Sequence, residues 1–457
     1  MKILFNLEPL GVPDSVICSW NFHRSIVNDT LGALARQQPD YRVLSSDRAK
    51  WQAKAAGQEP DSRWLFVEDA FYFQALDDLN LSRDKIIKSF YTSSVTEQTQ
   101  KKLKQSFEQL LHGWKPDVII SFEFHNRIFD SIFPGVMQIV YMGGMFKRQI
   151  VPPTAVFDPV GSVAFSFLNK YSVQIQGRPV TADERQQIKN LITDLNALLG
   201  YYSPIKKELA VLRNKFDYLL LLCCQFNGSY AYDTECCFPS QWEMVDFVLS
   251  QVPPNVGVIV TEHNQSHFLQ NGFLPFFKAK YPHFIYFSQL NRYEGSSLYA
   301  LPGVDGIVNV SSTVGPMACL LGKKIFSLSK NYNLPFQDAQ GLANVLDVLK
   351  TPSRDKSALL RFLLTEYNLY PFEYKNTQFL TDLFENYLIK WRAAGNAAAE
   401  DFYTPHLSIA QARDYILNYV MKELWRSYLP KWYKRPFVKK PIQVLQRSRI
   451  SAIEEGK

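Results

Sequence analysis

Between residues 216 and 350, short unbroken apolar runs alternate with longer amphipathic stretches. FDYLLLLC (216–223) and VGVIVT (256–261) show no period-two alternation, so the strands they predict are covered on both faces. SQWEMVDFVLSQV (240–252) lies between them and carries helical spacing. A helical stretch then runs to about 280, followed by the strand FIYFS (284–288) and the short helix GSSLYALPG. The strand VDGIVNV (304–310), a helix after the hydroxyl cluster 311–313, the strand KKIFSL (323–328) and a helix near 340–350 complete the series. Buried strands separated by helices predict a parallel, doubly wound α/β sheet.

The first 200 residues repeat this pattern. KILFNL, YRVLSS, DVIISFEF (117–124) and VMQIVYM (136–142) predict strands, and 19–38 and 94–114 predict helices. TADERQQIKNLITDLNALLG (181–200) predicts a helix opened by a Thr181/Glu184 capping box and ended by Gly200. From 355 onward the chain is helical and aromatic. Two Rossmann-like domains facing each other across a cleft, with C-terminal helices packing back, form the α/β architecture named GT-B. The expected divisions are 1–205, an acceptor-binding domain; 206–350, a nucleotide-sugar domain; 351–421, a helical segment returning to the core; and 422–457, a basic aromatic tail.

Composition narrows the function class. The chain has 457 residues, 46% hydrophobic and 20% charged, as expected of a multidomain globular protein. Its 33 Phe, 24 Tyr and 8 Trp suit a carbohydrate-handling or membrane-surface protein. Six Cys, two vicinal pairs among them and no C-x-x-C, are expected to be reduced thiols, a pattern that argues against a disulfide scaffold or zinc site. Nine Lys/Arg against Glu423 give residues 422–449 a charge of +8, leaving about −1 of the total +7 elsewhere. A basic stripe confined to a tail argues against nucleic acid as partner. The tail also interleaves Trp, Tyr and Phe with its cations and has Pro430, Pro436 and Pro441, a pattern suited to an anionic membrane surface. No apolar window is long enough to cross a bilayer, so the expected location is cytoplasmic, peripheral on the inner face of the membrane.

In open parallel sheets, ligands sit beyond the carboxyl ends of the strands. That rule selects Gln225 and the loop to Glu235 after the first strand of the second domain, Glu262 and His263 after the next, and Ser311, Ser312 and Thr313 after VDGIVNV. The hydroxyls, with the N–H groups of the following helix, are candidates to surround a phosphate, or simply to cap that helix. Asp233, with Glu235 as competitor, is the candidate carboxylate of the first loop. In the first domain, Glu123, His125 and Asn126 end a strand, Asp158 sits in a Pro/Gly turn, and Lys147 and Arg148 follow a diglycine.

GIVNVSSTVGPMACLLGKKIFSL with the upstream VIVTEHN resembles bacterial capsule and lipopolysaccharide glycosyltransferases that use CMP-activated acidic sugars, and within them the retaining β-Kdo transferases. The resemblance spans roughly 215–330. Its Ser-Ser/Ser-Thr motif matches Ser311-Ser312-Thr313, and its His-Pro motif matches His263, with Asn264 in place of proline. It implies CMP-Kdo as donor, Asp233 as the nucleophile of a covalent sugar–enzyme intermediate, and a glycan or lipid-linked acceptor. The acceptor hydroxyl needs a base, with Glu123 preferred over Asp158. No metal or other cofactor is expected, since neither a DxD motif nor a ligand cluster is present. A UDP- or GDP-sugar transferase and a non-catalytic sugar-nucleotide-binding protein of an assembly complex are the alternatives.

Overall fold

The computed structural model describes residues 1–7, 19–38, 40–68, 96–123, 125, 127–146, 150–225, 235–263, 266–293 and 295–428. They form two compact α/β units, each built on a six-stranded sheet. In the first unit the strands are β1 (Ile3–Asn6), β2 (Tyr41–Ser46), β3 (Trp64–Val67), β4 (Val118–Phe122), β5 (Met137–Gly143) and β6 (Ala155–Asp158). Their spatial order is β3-β2-β1-β4-β5-β6, all parallel except β6, which runs antiparallel to β5.

The second unit contains β7 (Tyr218–Cys223), β8 (Val256–Thr261), β9 (Phe284–Ile285), β10 (Gly306–Asn309), β11 (Lys324–Ser327) and β12 (Ala339–Gln340). They are ordered β12-β11-β10-β7-β8-β9 and parallel throughout. Both sheets therefore follow the doubly wound order 3-2-1-4-5-6, in which the winding direction reverses beside the first strand. This is the two-domain α/β organisation expected of the GT-B class.

The continuous apolar runs explain the sheet interiors. Leu220, Leu222, Val258, Val308 and Phe326 point into one core with Met244 and Val248 of helix Gln241–Gln251 and with Phe277. In the first unit, Leu103 and Phe107 of helix Glu97–Leu111 are buried, and the Phe107 ring meets Phe129 edge-on at 5.1 Å. Helix Ala182–Tyr201 opens with the expected capping box, and Gly200 lies in its last turn instead of beyond it.

Three expectations shift. The helix expected at 19–38 is divided by a π-helical turn, Ile26–Thr30, through a stretch containing the poor helix formers Asn28, Asp29 and Thr30. FIYFS contributes only two residues as the edge strand β9. Residues 369–404 belong with the first unit, whereas the described residues of 145–153, 171–368 and 405–428 belong with the second, so the division does not fall at 205. Among the described residues, no helix is long and apolar enough to cross a membrane.

His283, just before β9, is 3% exposed, and its Nε2 lies 3.1 Å from the Leu249 carbonyl oxygen. Burial lowers its pKa below the ordinary 6.5, so the folded chain favours the neutral ring. Its contribution to stability is complete above 6.5 and is lost as pH falls through the lowered value. His283→Gln should therefore flatten the acid side of the stability curve, checked by denaturant unfolding from about pH 8 downward through the histidine range.

Candidate functional site

In the second unit the winding reversal falls between β7 and β10. Two side-chain bonds span it: Gln225 Nε2 donates to Ser311 Oγ at 3.1 Å, and Gln225 Oε1 accepts the Ser311 N–H at 3.0 Å. The Gln225 N–H donates to Gln241 Oε1 at 2.9 Å, fixing the residue at the end of its strand.

Beside this bridge is a cavity of about 160 Å³. Cys223 and Cys224 line it from the end of β7, Glu262 and His263 from the end of β8, and Ser312 and Val314 from the segment after β10. His267, Asn291, Tyr293, Gly295, Ser296 and Ser297 complete the described wall. Gly295 has φ +69, a left-handed turn that only glycine adopts without strain, and it starts the helix Ser296–Ala300. Thr261 and Ser297 hydroxyls lie 2.8 Å apart and tie this helix to β8.

The carboxylate of the wall is held by neutral donors. Among the described residues, no Lys or Arg lines the cavity. The Glu262 carboxylate accepts from Leu269 N–H at 2.6 Å, Tyr286 Oη at 2.5 Å and Gln270 Nε2 at 3.3 Å. Asn291 Nδ2 in turn donates to Tyr286 Oη at 2.6 Å. Burial first, and the Glu262 bond second, push the Tyr286 hydroxyl up to about 12, so it remains a donor. Burial likewise raises the Cys224 thiol well above its ordinary range, which makes it a neutral wall group and a poor nucleophile. Among the described residues, no three His, Cys, Asp or Glu side chains are placed to hold a metal ion.

Of the residues selected from sequence, the structure brings His263 and Ser312 to the cavity, while Gln225 and Ser311 form the bridge at its flank. Thr313 occupies the N-cap position without a side-chain cap bond. Ser312 Oγ instead accepts the Val314 N–H at 3.3 Å, and its carbonyl accepts the Gly315 N–H at 2.9 Å. The first N–H groups of the seven-residue helix Val314–Leu320 are therefore used internally, and the expected cradle of helix N–H groups does not form there.

The carboxylates separate by role. Glu235 is 4% exposed, and its Oε2 accepts the N–H groups of Asn331 and Tyr332 at 2.7 and 3.0 Å. Asp158, in the first unit, is fully buried. Its Oδ1 accepts from Val160 and Gly161 N–H at 2.8 and 3.0 Å, and its Oδ2 from Phe167 N–H at 2.8 Å. Such a carboxylate organises a loop, so the expectation that Asp158 could serve as base is corrected.

Glu123 is half-buried at the end of β4 with φ +62, a left-handed conformation uncommon outside glycine, and its N–H donates to the Tyr141 carbonyl at 2.8 Å. His125 is buried, with Nε2 3.4 Å from Asp130 Oδ1. Asp233, Asn126, Lys147, Arg148, Asn264 and the tail from 429 lie outside the described residues.

Asn291, Tyr293, Ser296, Ser297 and His267 were not singled out from sequence. The strand-end rule applies equally to the segment after FIYFS, but GSSLYALPG carries a helical pattern that hides its two serines as site residues.

No protein-family model matches the chain, and no curated protein matches it. Among solved structures, it is similar to the KpsC beta Kdo 2,7 transferase of Thermosulfurimonas dismutans at 12% identity and TM-score 0.38, over 67% of this chain and 98% of that one. The KpsC beta Kdo 2,4 transferase of the same organism gives 15% identity and TM-score 0.36, over 55% and 80%. The UDP-GlcNAc 2-epimerase of Methanocaldococcus jannaschii gives 12% identity and TM-score 0.33, over 84% and 99%. It is the strand order and register that establish the doubly wound topology of each unit.

Tyr286→Phe removes the donor to Glu262 and the acceptor of Asn291. It should cost about 1–3 kcal/mol of stability in chemical denaturation, since both groups lose a partner in a partly buried wall.

Proposed function

We propose that the chain is a glycosyltransferase that moves an acidic sugar, Kdo foremost, from a CMP donor to a glycan acceptor. The observation that carries this reading is the composition of the cavity beside the β7/β10 reversal. Among the described residues its wall offers Ser, Asn, Tyr and His side chains, no Lys or Arg, and a carboxylate already saturated by three donors. A nucleoside diphosphate brings two adjacent charges, which are normally met by a cation or by Arg and Lys. A single phosphodiester charge is within reach of neutral donors and histidine, which favours a nucleoside monophosphate sugar; the acidic character of the sugar is taken from the resemblance at 215–330 and not from the wall.

On this reading, Ser312 and His263 contact the donor phosphate, while Gln225 and Ser311 tie the strand ends together. Asp233 attacks the anomeric carbon as CMP leaves, and an acceptor hydroxyl deprotonated by Glu123 then displaces Asp233, restoring its carboxylate. The acceptor is an oligosaccharide or a lipid-linked glycan, and the basic aromatic tail brings the enzyme to an anionic membrane surface. The two KpsC proteins are Kdo transferases by name, which is consistent in kind with this proposal.

Calorimetry with CMP, UDP and GDP should rank CMP first by about tenfold or more, with Ser312→Ala weakening CMP about 5- to 10-fold. Incubation with CMP-Kdo and CMP-sialic acid should release CMP, with a sugar adduct found by mass spectrometry and absent in Asp233→Ala. Preference for UDP or GDP would overturn the donor assignment. Failure of every donor to release a nucleotide would favour a non-catalytic binding protein.

A further inference from the structure

Residues 226–234 separate two anchored positions, Gln225 and Glu235. Each is bonded to a different segment at the carboxyl edge of the second sheet. Gln225 holds Ser311 through two bonds, and Glu235 holds the N–H groups of Asn331 and Tyr332. Those two segments are themselves joined by a pair of buried asparagines. Asn333, fully buried, donates from Nδ2 to the Val310 carbonyl at 2.7 Å, and its Oδ1 accepts from Asn309 Nδ2 at 3.2 Å. Asn309, 1% exposed, grips Ser312 from both sides: its Oδ1 accepts the Ser312 N–H at 3.0 Å, and its Nδ2 donates to the Ser312 carbonyl at 3.0 Å.

The result is a circuit of side-chain bonds and short main-chain links running from Gln225 through Ser311 and Ser312 to Asn309, Asn333, Asn331 and Glu235. It passes through Ser312, whose side chain borders the cavity. The circuit is also packed without slack. A Cβ on Gly315 would stand 2.5 Å from Asn309 Nδ2 and 3.0 Å from Asn333 Oδ1, so only glycine lets the following helix close over the asparagines.

We infer that Glu235 and Asn333 are positioning residues that set the Ser311–Ser312 turn from across the sheet edge, so that the order of the turn depends on a carboxylate it does not touch. This assigns Glu235 a structural anion's duty in the donor site, in place of the chemical one its neighbourhood to Asp233 invites. The inference rests on the donor-site reading only for its functional consequence; the coupling itself requires no ligand.

Hydrogen–deuterium exchange on the full chain tests the coupling. Glu235→Ala should speed exchange of the Ser312, Val314 and Gly315 amides about tenfold or more, together with those of 331–336. Acceleration confined to 331–336 would overturn it. Glu235→Gln retains an acceptor oxygen and should restore most of the protection. Asn333→Ser, a second route into the same circuit should the alanine variant fail to fold, should loosen the 311–315 amides in the same way.

The functional arm reads CMP affinity and transfer from CMP-Kdo. Glu235→Ala should weaken CMP by up to about 5- to 10-fold, no more than loss of the Ser312 hydroxyl, and Glu235→Gln should recover most of that loss. Inactivity of Glu235→Gln with unchanged CMP affinity would overturn positioning in favour of direct chemistry. Wild-type protein that shows the exchange coupling yet binds no CMP would instead defeat the proposed donor while leaving the circuit intact.

Discussion

The second unit depends on satisfying the polar main chain where β7 and β10 part company. Adjacent parallel strands whose connections leave in opposite directions open a crevice, and their terminal N–H and C=O groups lose ladder partners there. Gln225 meets this need with one amide, donating to the Ser311 hydroxyl and accepting from the Ser311 N–H. The first unit has a side-chain pair at the corresponding place: Asn6 Nδ2, at the end of β1, donates to the Ser121 hydroxyl on the neighbouring β4 at 3.1 Å. In the first sheet the pair lies within the two strands, and in the second it lies just beyond their carboxyl ends.

From that bridge the rest of the site is built in order. Holding Ser311 places Ser312 where Asn309 can take both its backbone groups, and this starts the helix Val314–Leu320 at a fixed point. The β8 end is held separately, by Glu262 collecting three donors and by the Thr261–Ser297 hydroxyl pair. Buried polar groups are stable here because nearly every one has a partner of good geometry, and removing one leaves another exposed to the cost of an empty bond. The cavity is thus shaped by groups held in place through their own hydrogen bonds, with His263, His267 and three serines among its wall.

Strands β7, β8 and β10 were legible because a parallel strand covered on both faces writes itself as an unbroken apolar run. The location of the hydroxyl cluster was legible too, since it directly succeeds such a run. Its bonding was not. Ser311 is bonded to a residue 86 positions away and Asn309 to one 24 away, and no local pattern encodes such pairings. Asp158 shows the same limit from the other side: a carboxylate in a Pro/Gly turn reads alike whether it faces solvent or collects three N–H groups. FIYFS read as a full strand because the length of an edge strand is set by how far its single neighbour runs beside it, not by its own composition.

The course of the chain carries a consequence for its synthesis. The polypeptide passes between the two units at 144/145, 153/154, 170/171, 368/369 and 404/405. The first sheet is made early, yet Phe157 packs its ring against Phe384 at 5.1 Å and receives on its carbonyl the Tyr403 hydroxyl at 2.7 Å, while Phe167 meets Tyr403 edge-on at 4.8 Å. Tyr403 leaves the ribosome 246 residues after Phe157. The amino-terminal unit must wait, its aromatic face uncovered, while most of the other unit is translated. Neither half can therefore be excised at a single cut.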